Sequence, residues 1–546
     1  MTEPLLKVDD LRVAFSTARG ELEAIKGVSF EVLPGETLAI VGESGSGKST
    51  IAASLNRLLA SNGRISGGSV RFDGAEITTM AERDLNSLRG AQIGLVPQDP
   101  MSNLNPMHRI GDQILEVLRA HGAGGENKRQ RVVELLEMVG IPDAEQRIDQ
   151  YPHEFSGGMR QRVLIAMGLA CQPRLLIADE PTSALDVTVQ RRVLDRLDAL
   201  TEELGASVIL ITHDLPLAVE RADRVLVMYR GEVVEQGAAK QILEQPKHEY
   251  TKRLVEAAPS FMTTSLVEKP AAGAAAGAGA AAGGADADPE PFARVTGLGK
   301  SYRIRGQAEP FWAAREVSFT IPRGRTVSIV GESGSGKSTT ARVLLGLEDA
   351  TEGTVEIAGD DISTLKRREL MGIRRKVQPV FQNPFASLDP RYTVAELIEE
   401  PLKVHRIGSR AERAKKVGQL LDDVMLAADY GPRYPHQLSG GQRQRVAIAR
   451  ALALDPDLVV LDEAVSALDV LVQAQILELL TDLQRDLGLS YLFISHDLAV
   501  VRMISHEVHV MQRGRIVESG TPEQIFEQPQ AECTRELLAA IPGLNL

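Results

Sequence analysis

Gly42-Glu43-Ser44-Gly45-Ser46-Gly47-Lys48-Ser49-Thr50 is the stretch on which the reading of the whole chain turns. An apolar run, Thr37-Leu38-Ala39-Ile40-Val41, leads into it as a short strand, and Ile51-Ala52-Ala53-Ser54-Leu55 leaves it as a helix start. Strand, glycine loop and helix in that order are the setting a phosphate-binding loop requires. Glycines let consecutive backbone N–H groups curl around an anion, and the helix N-terminus adds a positive partial charge. Lys48 is expected to reach the β and γ phosphates of a nucleotide and Ser49 to hold Mg²⁺, within a cradle that includes Gly42, Ser44, Gly45, Gly47 and Thr50.

The same stretch recurs letter for letter as Gly331 to Thr339, after Val327-Ser328-Ile329-Val330 and before Ala341-Arg342-Val343-Leu344-Leu345. A second cradle is therefore expected from Gly331, Ser333, Gly334, Gly336, Lys337, Ser338 and Thr339. Other pairs repeat with it: Gln98-Asp99-Pro100 and Gln382-Asn383-Pro384, Ser156-Gly157-Gly158 and Ser439-Gly440-Gly441, Asp179-Glu180 and Asp462-Glu463, His213-Asp214 and His496-Asp497. Serine to acid is 24 residues in both halves (156 to 180, 439 to 463), and acid to histidine is 33 (180 to 213, 463 to 496). The lysine-to-serine interval is 108 in one half and 102 in the other, so insertions are tolerated there. A period this long is domain duplication and not a solenoid. The variable segment has helical periodicity, as in Lys128–Met138, and predicts a helical subdomain.

Residues 1–261 and 292–546 read as the two domains, joined by 262–291. Ala271 to Gly284 is entirely alanine and glycine. Such residues form no packed face, and the glycines oppose helix. Roughly 30 flexible residues have a mean reach on the order of 30 Å, which predicts a tether.

Short apolar runs ending in acids, Arg174 to Glu180 and Leu458 to Glu463, read as buried parallel strands whose C-terminal ends meet the ligand. Asp179 and Asp462 are expected to orient the metal, and Glu180 and Glu463 to polarise the attacking water, because phosphoryl transfer chiefly needs positioning and electrostatic stabilisation. A lone histidine after an apolar strand is more often a satisfied core residue. Recurrence with aspartate at the next position assigns His213 and His496 to the γ-phosphate instead.

Composition narrows the setting. A net charge of −13 and a pI near 5.4 argue against a nucleic-acid surface, which is ordinarily basic. Cys171 and Cys533 are too few for a disulfide framework or a four-cysteine metal site, and suit a reducing compartment. The N-terminus lacks the basic and apolar regions of a secretory signal, and no credible membrane span appears. A cytoplasmic chain that meets the membrane through partners is expected.

With these residues in hand, the chain resembles the ABC ATPase superfamily over nearly its whole length. The discriminating stretches are Phe155-Ser156-Gly157-Gly158-Met159-Arg160-Gln161-Arg162 and Leu438-Ser439-Gly440-Gly441-Gln442-Arg443-Gln444-Arg445, which are similar to the family signature. The resemblance implies an α/β fold of two tandem P-loop domains, each with a RecA-like core, an antiparallel β subdomain and a helical signature subdomain. It also implies a head-to-tail sandwich within one chain. Each ATP would lie between one half's phosphate loop and the other half's signature, Ser156, Gly157 and Gly158 or Ser439, Gly440, Gly441 and Gln442. Gln98 and Gln382 match the metal-contacting glutamine that couples the subdomains. Phe15 and Tyr302 match the adenine-stacking aromatic, and Ser183 to Asp186 and Ser466 to Asp469 the interface loop.

A finer resemblance is to the peptide-importer branch. Pro97 to Pro106 and Phe381 to Pro390 look like its extended glutamine loop, and Pro246-Lys247-His248-Glu249-Tyr250-Thr251 like its C-terminal element, which has decayed to Pro529-Gln530-Ala531-Glu532-Cys533-Thr534 in the second half. His248 reads equally as a surface residue. An importer motor at the cytoplasmic face of the membrane is implied, peripheral through two transmembrane permease subunits, served by an extracytoplasmic substrate-binding protein and making no use of nucleic acid. The rival is a soluble tandem ATPase acting on ribosomes, which typically carries a long charged helical linker. A DNA-repair tandem ATPase would need zinc-binding cysteines that this chain lacks.

Overall fold

In the computed structural model, residues 3–17, 20–125, 127–182, 185–261, 266–267, 291–303, 309–382, 387–466 and 468–544 are described. The alanine/glycine tether lies outside them, as do Ser183, Ala184, Asn383–Ala386 and Ala467. The chain divides into two units, one of Met1–Phe261 with Asp469–Leu471 and Pro542–Leu546, the other of Met262–Leu468 with Val472–Ile541.

The strands of the first unit are β1 (Leu6–Thr17), β2 (Gly20–Val32), β3 (Thr37–Val41), β4 (Gly63–Phe72), β5 (Ala75–Glu76), β6 (Ile93–Val96), β7 (Leu175–Asp179), β8 (Ser207–Thr212), β9 (Arg224–Tyr229) and β10 (Glu232–Ala238). They form two sheets, ordered β2-β1-β4-β5 and β10-β9-β3-β8-β7-β6. In the larger sheet β6, β7, β8, β3 and β9 run parallel, and β10 closes the edge antiparallel to β9. Ile209 and Ile211 of β8 face one core with Leu38 and Ile40 of β3, while Val208 and Leu210 face another. Burial on both faces explains why these strands are nearly continuous apolar runs.

The two cores have different partners. One joins the parallel sheet to the antiparallel one through Leu6, Val13, Ile25, Val70 and Phe72. The other joins it to the helices Ile110–Ala120, Lys128–Met138 and Gly157–Leu169 through Ile114, Leu118, Val132, Leu136 and Val163. The helical and antiparallel β subdomains implied by the family resemblance are both present.

The second unit repeats the plan with β11 (Ala293–Tyr302), β12 (Phe311–Ile321), β13 (Thr326–Val330), β14 (Glu352–Ile357), β15 (Asp360–Asp361), β16 (Val377–Val380), β17 (Leu458–Asp462), β18 (Ser490–Ser495), β19 (Glu507–Gln512) and β20 (Arg515–Gly520). Its sheet orders, β12-β11-β14-β15 and β16-β17-β18-β13-β19-β20, are those of the first unit. In each unit the glycine-loop strand lies between two parallel neighbours, so the loop leaves the carboxyl edge of the sheet, where open α/β sheets bind their ligands.

Candidate active site

Gly42 follows β3 directly. A Cβ there would lie 2.3 Å from the Met228 carbonyl oxygen of β9, so only glycine lets the loop pass that close. Gly47, at the start of the helix Lys48–Leu55, has φ 106°, and a Cβ would meet Ile25 at 2.5 Å. Gly331 and Gly336 carry the same constraints, against Met511 at 2.1 Å and Ala313 at 2.2 Å. The loop therefore turns on these glycines for steric reasons in both units.

Inside the loop Lys48 is buried, with its ammonium donating to the Gly42 and Glu43 carbonyls at 2.7 and 2.9 Å. Lys337 makes the same bonds to Gly331 and Glu332 at 2.7 and 2.9 Å. Burial draws the Lys48 pKa down, opposed by the charges of Glu180 and Asp179. The loop hydroxyls Ser46 Oγ and Ser335 Oγ are buried and have no hydrogen-bond partner among the described residues. Two such orphans, one in each cradle, fit a site completed by an oxygen-rich ligand. Ser44, Gly45 and Thr50, with Ser333, Gly334 and Thr339, belong to these same loops and helix starts.

The acids arrive at the carboxyl ends of β7 and β17. Ser49 Oγ donates to Asp179 Oδ1 at 3.1 Å, and Ser338 Oγ to Asp462 Oδ1 at 3.0 Å. Burial pushes both aspartates above their ordinary pKa, with the serine bonds opposing it. The next residue is in the left-handed region in each unit, Glu180 at φ 45° and Glu463 at φ 49°. Such backbone costs a non-glycine residue of order 1–3 kcal/mol and persists where the surroundings over-determine it. Here the glutamate N–H groups donate to the Ile211 and Ile494 carbonyls at 2.9 and 3.0 Å.

Each strained glutamate gathers the other motifs. Gln98 Nε2 donates to Glu180 Oε2 at 2.8 Å, and His213 Nδ1 stands 3.4 Å from the same oxygen. Gln382 Nε2 reaches Glu463 Oε2 at 2.7 Å, with His496 Nδ1 at 3.5 Å. Lys48 lies 4.0 Å from Glu180 Oε1. Burial alone would raise the Glu180 pKa, but the hydrogen bond and charge of His213, with Lys48 and Gln98, hold it below the ordinary value. Glu463 is lowered in the same way by His496 and Lys337. Burial would lower the histidines, yet their glutamates hold both above the usual imidazole range. Each unit thus places an ionised carboxylate beside a cationic cradle.

The signature residues behave differently. Ser156 caps the helix Gly157–Leu169, its Oγ accepting from Met159 N at 3.3 Å. Ser439 caps Gly440–Leu452 from Gln442 N at 3.3 Å, and Gln442 Oε1 accepts from Ser439 N at 2.9 Å. This reciprocal pair is a capping box, which Met159 cannot form. Gln442 Nε2 also donates to Tyr430 Oη at 3.0 Å. The cap bonds of Ser156 and Ser439 stay within the first turns of their own helices. Phe15 packs over Gly63, where a Cβ would meet its ring at 2.6 Å, and Tyr302 holds Glu348 through its hydroxyl beneath Lys300.

A family profile described as ABC transporter matches residues 25–183 and 314–466, once in each unit. The chain belongs to the ABC transporter family. Its two cassettes accordingly bind and hydrolyse ATP. A second profile, described as oligopeptide/dipeptide transporter, C-terminal region, matches 234–284. The chain is 45% identical over 561 residues to the glutathione import ATP-binding protein GsiA of Escherichia coli K12, covering 98% of this chain and 89% of that protein. It is 44% identical over 557 residues to GsiA of Salmonella typhimurium LT2, with the same coverage. Among solved structures it is similar to cbiO1 from Clostridium perfringens, part of the ABC transporter complex cbiONQ, at 27% identity and a TM-score of 0.40, covering 44% of this chain and 91% of that one.

A magnesium ion suits the donors each cassette offers. Ser49 hydroxyl, Asp179 carboxylate and the Gln98 amide oxygen are hard oxygen ligands, and Gln98 uses only its NH₂ end on Glu180. No cluster of three or more His, Cys, Asp or Glu that could hold a metal occurs among the described residues.

Proposed function

We propose that this chain is the ATP-hydrolysing motor of an importer for dipeptides or oligopeptides. It acts at the cytoplasmic face of the membrane with two transmembrane permease subunits and an extracytoplasmic substrate-binding protein. The observation that carries the reading is the peptide-transporter C-terminal region, residues 234–284, appended to a cassette in a chain related to import ATP-binding proteins along nearly its whole length. Among the described residues no helix is long and apolar enough to cross a membrane; in this reading the permease subunits supply the translocation path.

The proposed cassettes are residues 1–261 and 292–546, with 262–291 as the tether. Lys48 and Lys337 neutralise β- and γ-phosphate charge, and the loop N–H groups bind phosphate oxygens. Ser49, Gln98 and Asp179, with Ser338, Gln382 and Asp462, would hold Mg²⁺, which supplies charge neutralisation of the phosphates when bound. Glu180 and Glu463 accept a hydrogen bond from the attacking water and orient it for in-line attack, while His213 and His496 hold those carboxylates and face the γ-phosphate. Following the family resemblance, site one joins the first loop to Ser439–Gln442, and site two joins the second loop to Ser156–Gly158. Phe15 and Tyr302 are assigned to adenine.

Affinity purification of the tagged chain from detergent-solubilised membranes tests this function. Two permease subunits are expected to come down with it, and peptide-loaded binding protein is expected to raise ATP turnover severalfold in the recovered complex. Recovery with ribosomes and no membrane protein would overturn the importer reading.

A further inference from the structure

The peptide-transporter region contains a contact with the first phosphate loop that the catalytic residues do not explain. Glu235 on β10 accepts from the backbone N–H groups of Lys247 and His248 at 2.8 and 3.0 Å. His248 Nδ1 then caps the helix Glu249–Ala257 by accepting from Tyr250 N at 3.1 Å. These bonds fix the first turn of that helix, and Tyr250 is 3% exposed within it. Its ring stacks on Tyr229 at the end of β9, with centroids 4.4 Å apart. Its hydroxyl oxygen accepts from the backbone N–H of Glu43 at 2.9 Å.

That N–H belongs to the peptide unit joining Gly42 to Glu43, whose carbonyl accepts from Lys48 Nζ at 2.7 Å. A peptide unit is planar, so a bond at its N–H end also fixes the direction of its carbonyl. Tyr250 therefore sets the orientation of the group that seats Lys48, and bonds at opposite ends of one peptide strengthen each other by polarisation.

The second unit keeps the frame and loses the tyrosine. Glu518 on β20 accepts from Gln530 N and Ala531 N at 2.8 and 3.0 Å, as Glu235 does from Lys247 N and His248 N, and it also accepts from the Thr534 hydroxyl. Ala531 stands where His248 does and provides no side-chain cap. Cys533 takes the place of Tyr250, 4% exposed, and Gln512 the place of Tyr229. Burial, with the charges of Glu332 and Glu536, pushes the Cys533 thiol up to about 11, so it stays protonated near the loop. A neutral thiol is a shorter group and a weaker acceptor than a phenol.

We propose that the C-terminal element buttresses the first phosphate loop, with Tyr250 as a positioning residue that makes the first cassette bind ATP more tightly than the second. The proposal rests on the reading of Gly42–Thr50 as a nucleotide cradle. An ordered loop loses less conformational freedom when the phosphates arrive, and affinity rises by that saving. Tyr250→Phe removes the hydroxyl and keeps the ring stack, so it isolates the bond.

The test uses the full chain carrying Lys337→Ala, so that Mg·ATP binding by calorimetry reports the first cassette, and a Lys48→Ala chain that reports the second. Tyr250→Phe is expected to weaken ATP binding about two- to tenfold in the first background, as loss of one hydrogen bond implies, and to change nothing in the second. Tyr250→Cys, which installs the second unit's residue, is expected to weaken binding at least as much. In turnover assays of the Lys337→Ala chain, KM for ATP is expected to rise by a similar factor with kcat little changed. Unchanged affinity in a folded Tyr250→Phe chain, or equal losses in both backgrounds, would overturn the buttress. Absence of ATP binding in the Lys337→Ala chain before any change at Tyr250 would instead refute the nucleotide reading on which it rests.

Discussion

Replacing Glu180 and Glu463 together by glutamine is expected to lower steady-state ATP hydrolysis about 10²–10⁴-fold, the usual scale for loss of general-base assistance, while ATP binding survives. Geometry separates the two effects. The cationic cradle is built by Lys48 and Lys337 from their own loop carbonyls, and the metal-facing hydroxyls pair with Asp179 and Asp462. None of these bonds uses the glutamates. The glutamine amide oxygen can still accept from Gln98 or Gln382, which now donate to Glu180 and Glu463 at 2.8 and 2.7 Å. What disappears is the negative charge that draws a water proton. Nucleotide retained after rapid desalting is therefore expected to be ATP in the double variant and ADP in the parent. Hydrolysis at the parent rate would show that neither glutamate acts on the water.

The two sites are expected to be unequal, site two being about ten- to fiftyfold slower. Two departures fall in that site under the proposed pairing. Met159 stands where the second signature has Gln442, so the first signature helix lacks the reciprocal cap that Gln442 makes with Ser439. A lost neutral hydrogen bond is worth about 0.5–1.5 kcal/mol. Ala464-Val465 replaces Pro181-Thr182 after the glutamate, and such loosening costs about 0.4–1 kcal/mol. With about 1.4 kcal/mol to each factor of ten, the two effects together correspond to about four- to sixtyfold, a span that contains the expected slowing. Neither change removes a charged catalytic group, so site two is slowed and not silenced. In the assembled transporter, Glu180→Gln is expected to cost more activity than Glu463→Gln. Equal losses, or a larger loss from Glu463→Gln, would contradict the assignment.

Much of the site was legible because it is local. β3, the glycine loop and the helix after it follow one another without a gap, and Gly42 and Gly47 answer steric demands that no other residue meets. Ser439-Gly-Gly-Gln442 even carries the capping-box spacing in its letters, a signal that separates the two signatures and that motif matching passes over. Contacts between distant residues were not legible. The left-handed backbone at Glu180 and Glu463 arises from the loop geometry after β7 and β17, and nothing in an Asp-Glu pair announces it. Gln98 meets Glu180 across 82 positions, and Tyr250 meets Glu43 across 207. By sequence Tyr250 is one letter of the peptide-importer C-terminal element, and a buried aromatic at a helix start is ordinary until its hydroxyl is placed.

The most direct measurement is peptide uptake into proteoliposomes containing the chain and its permease subunits, with ATP and Mg²⁺ on the cassette side and peptide-loaded binding protein on the other. Uptake is expected only when ATP and binding protein are both present, rising in step with phosphate release, and both signals are expected to vanish in the Glu180→Gln, Glu463→Gln chain. Uptake that proceeds equally well in that double variant, or ATP turnover indifferent to the loaded binding protein, would contradict an import motor.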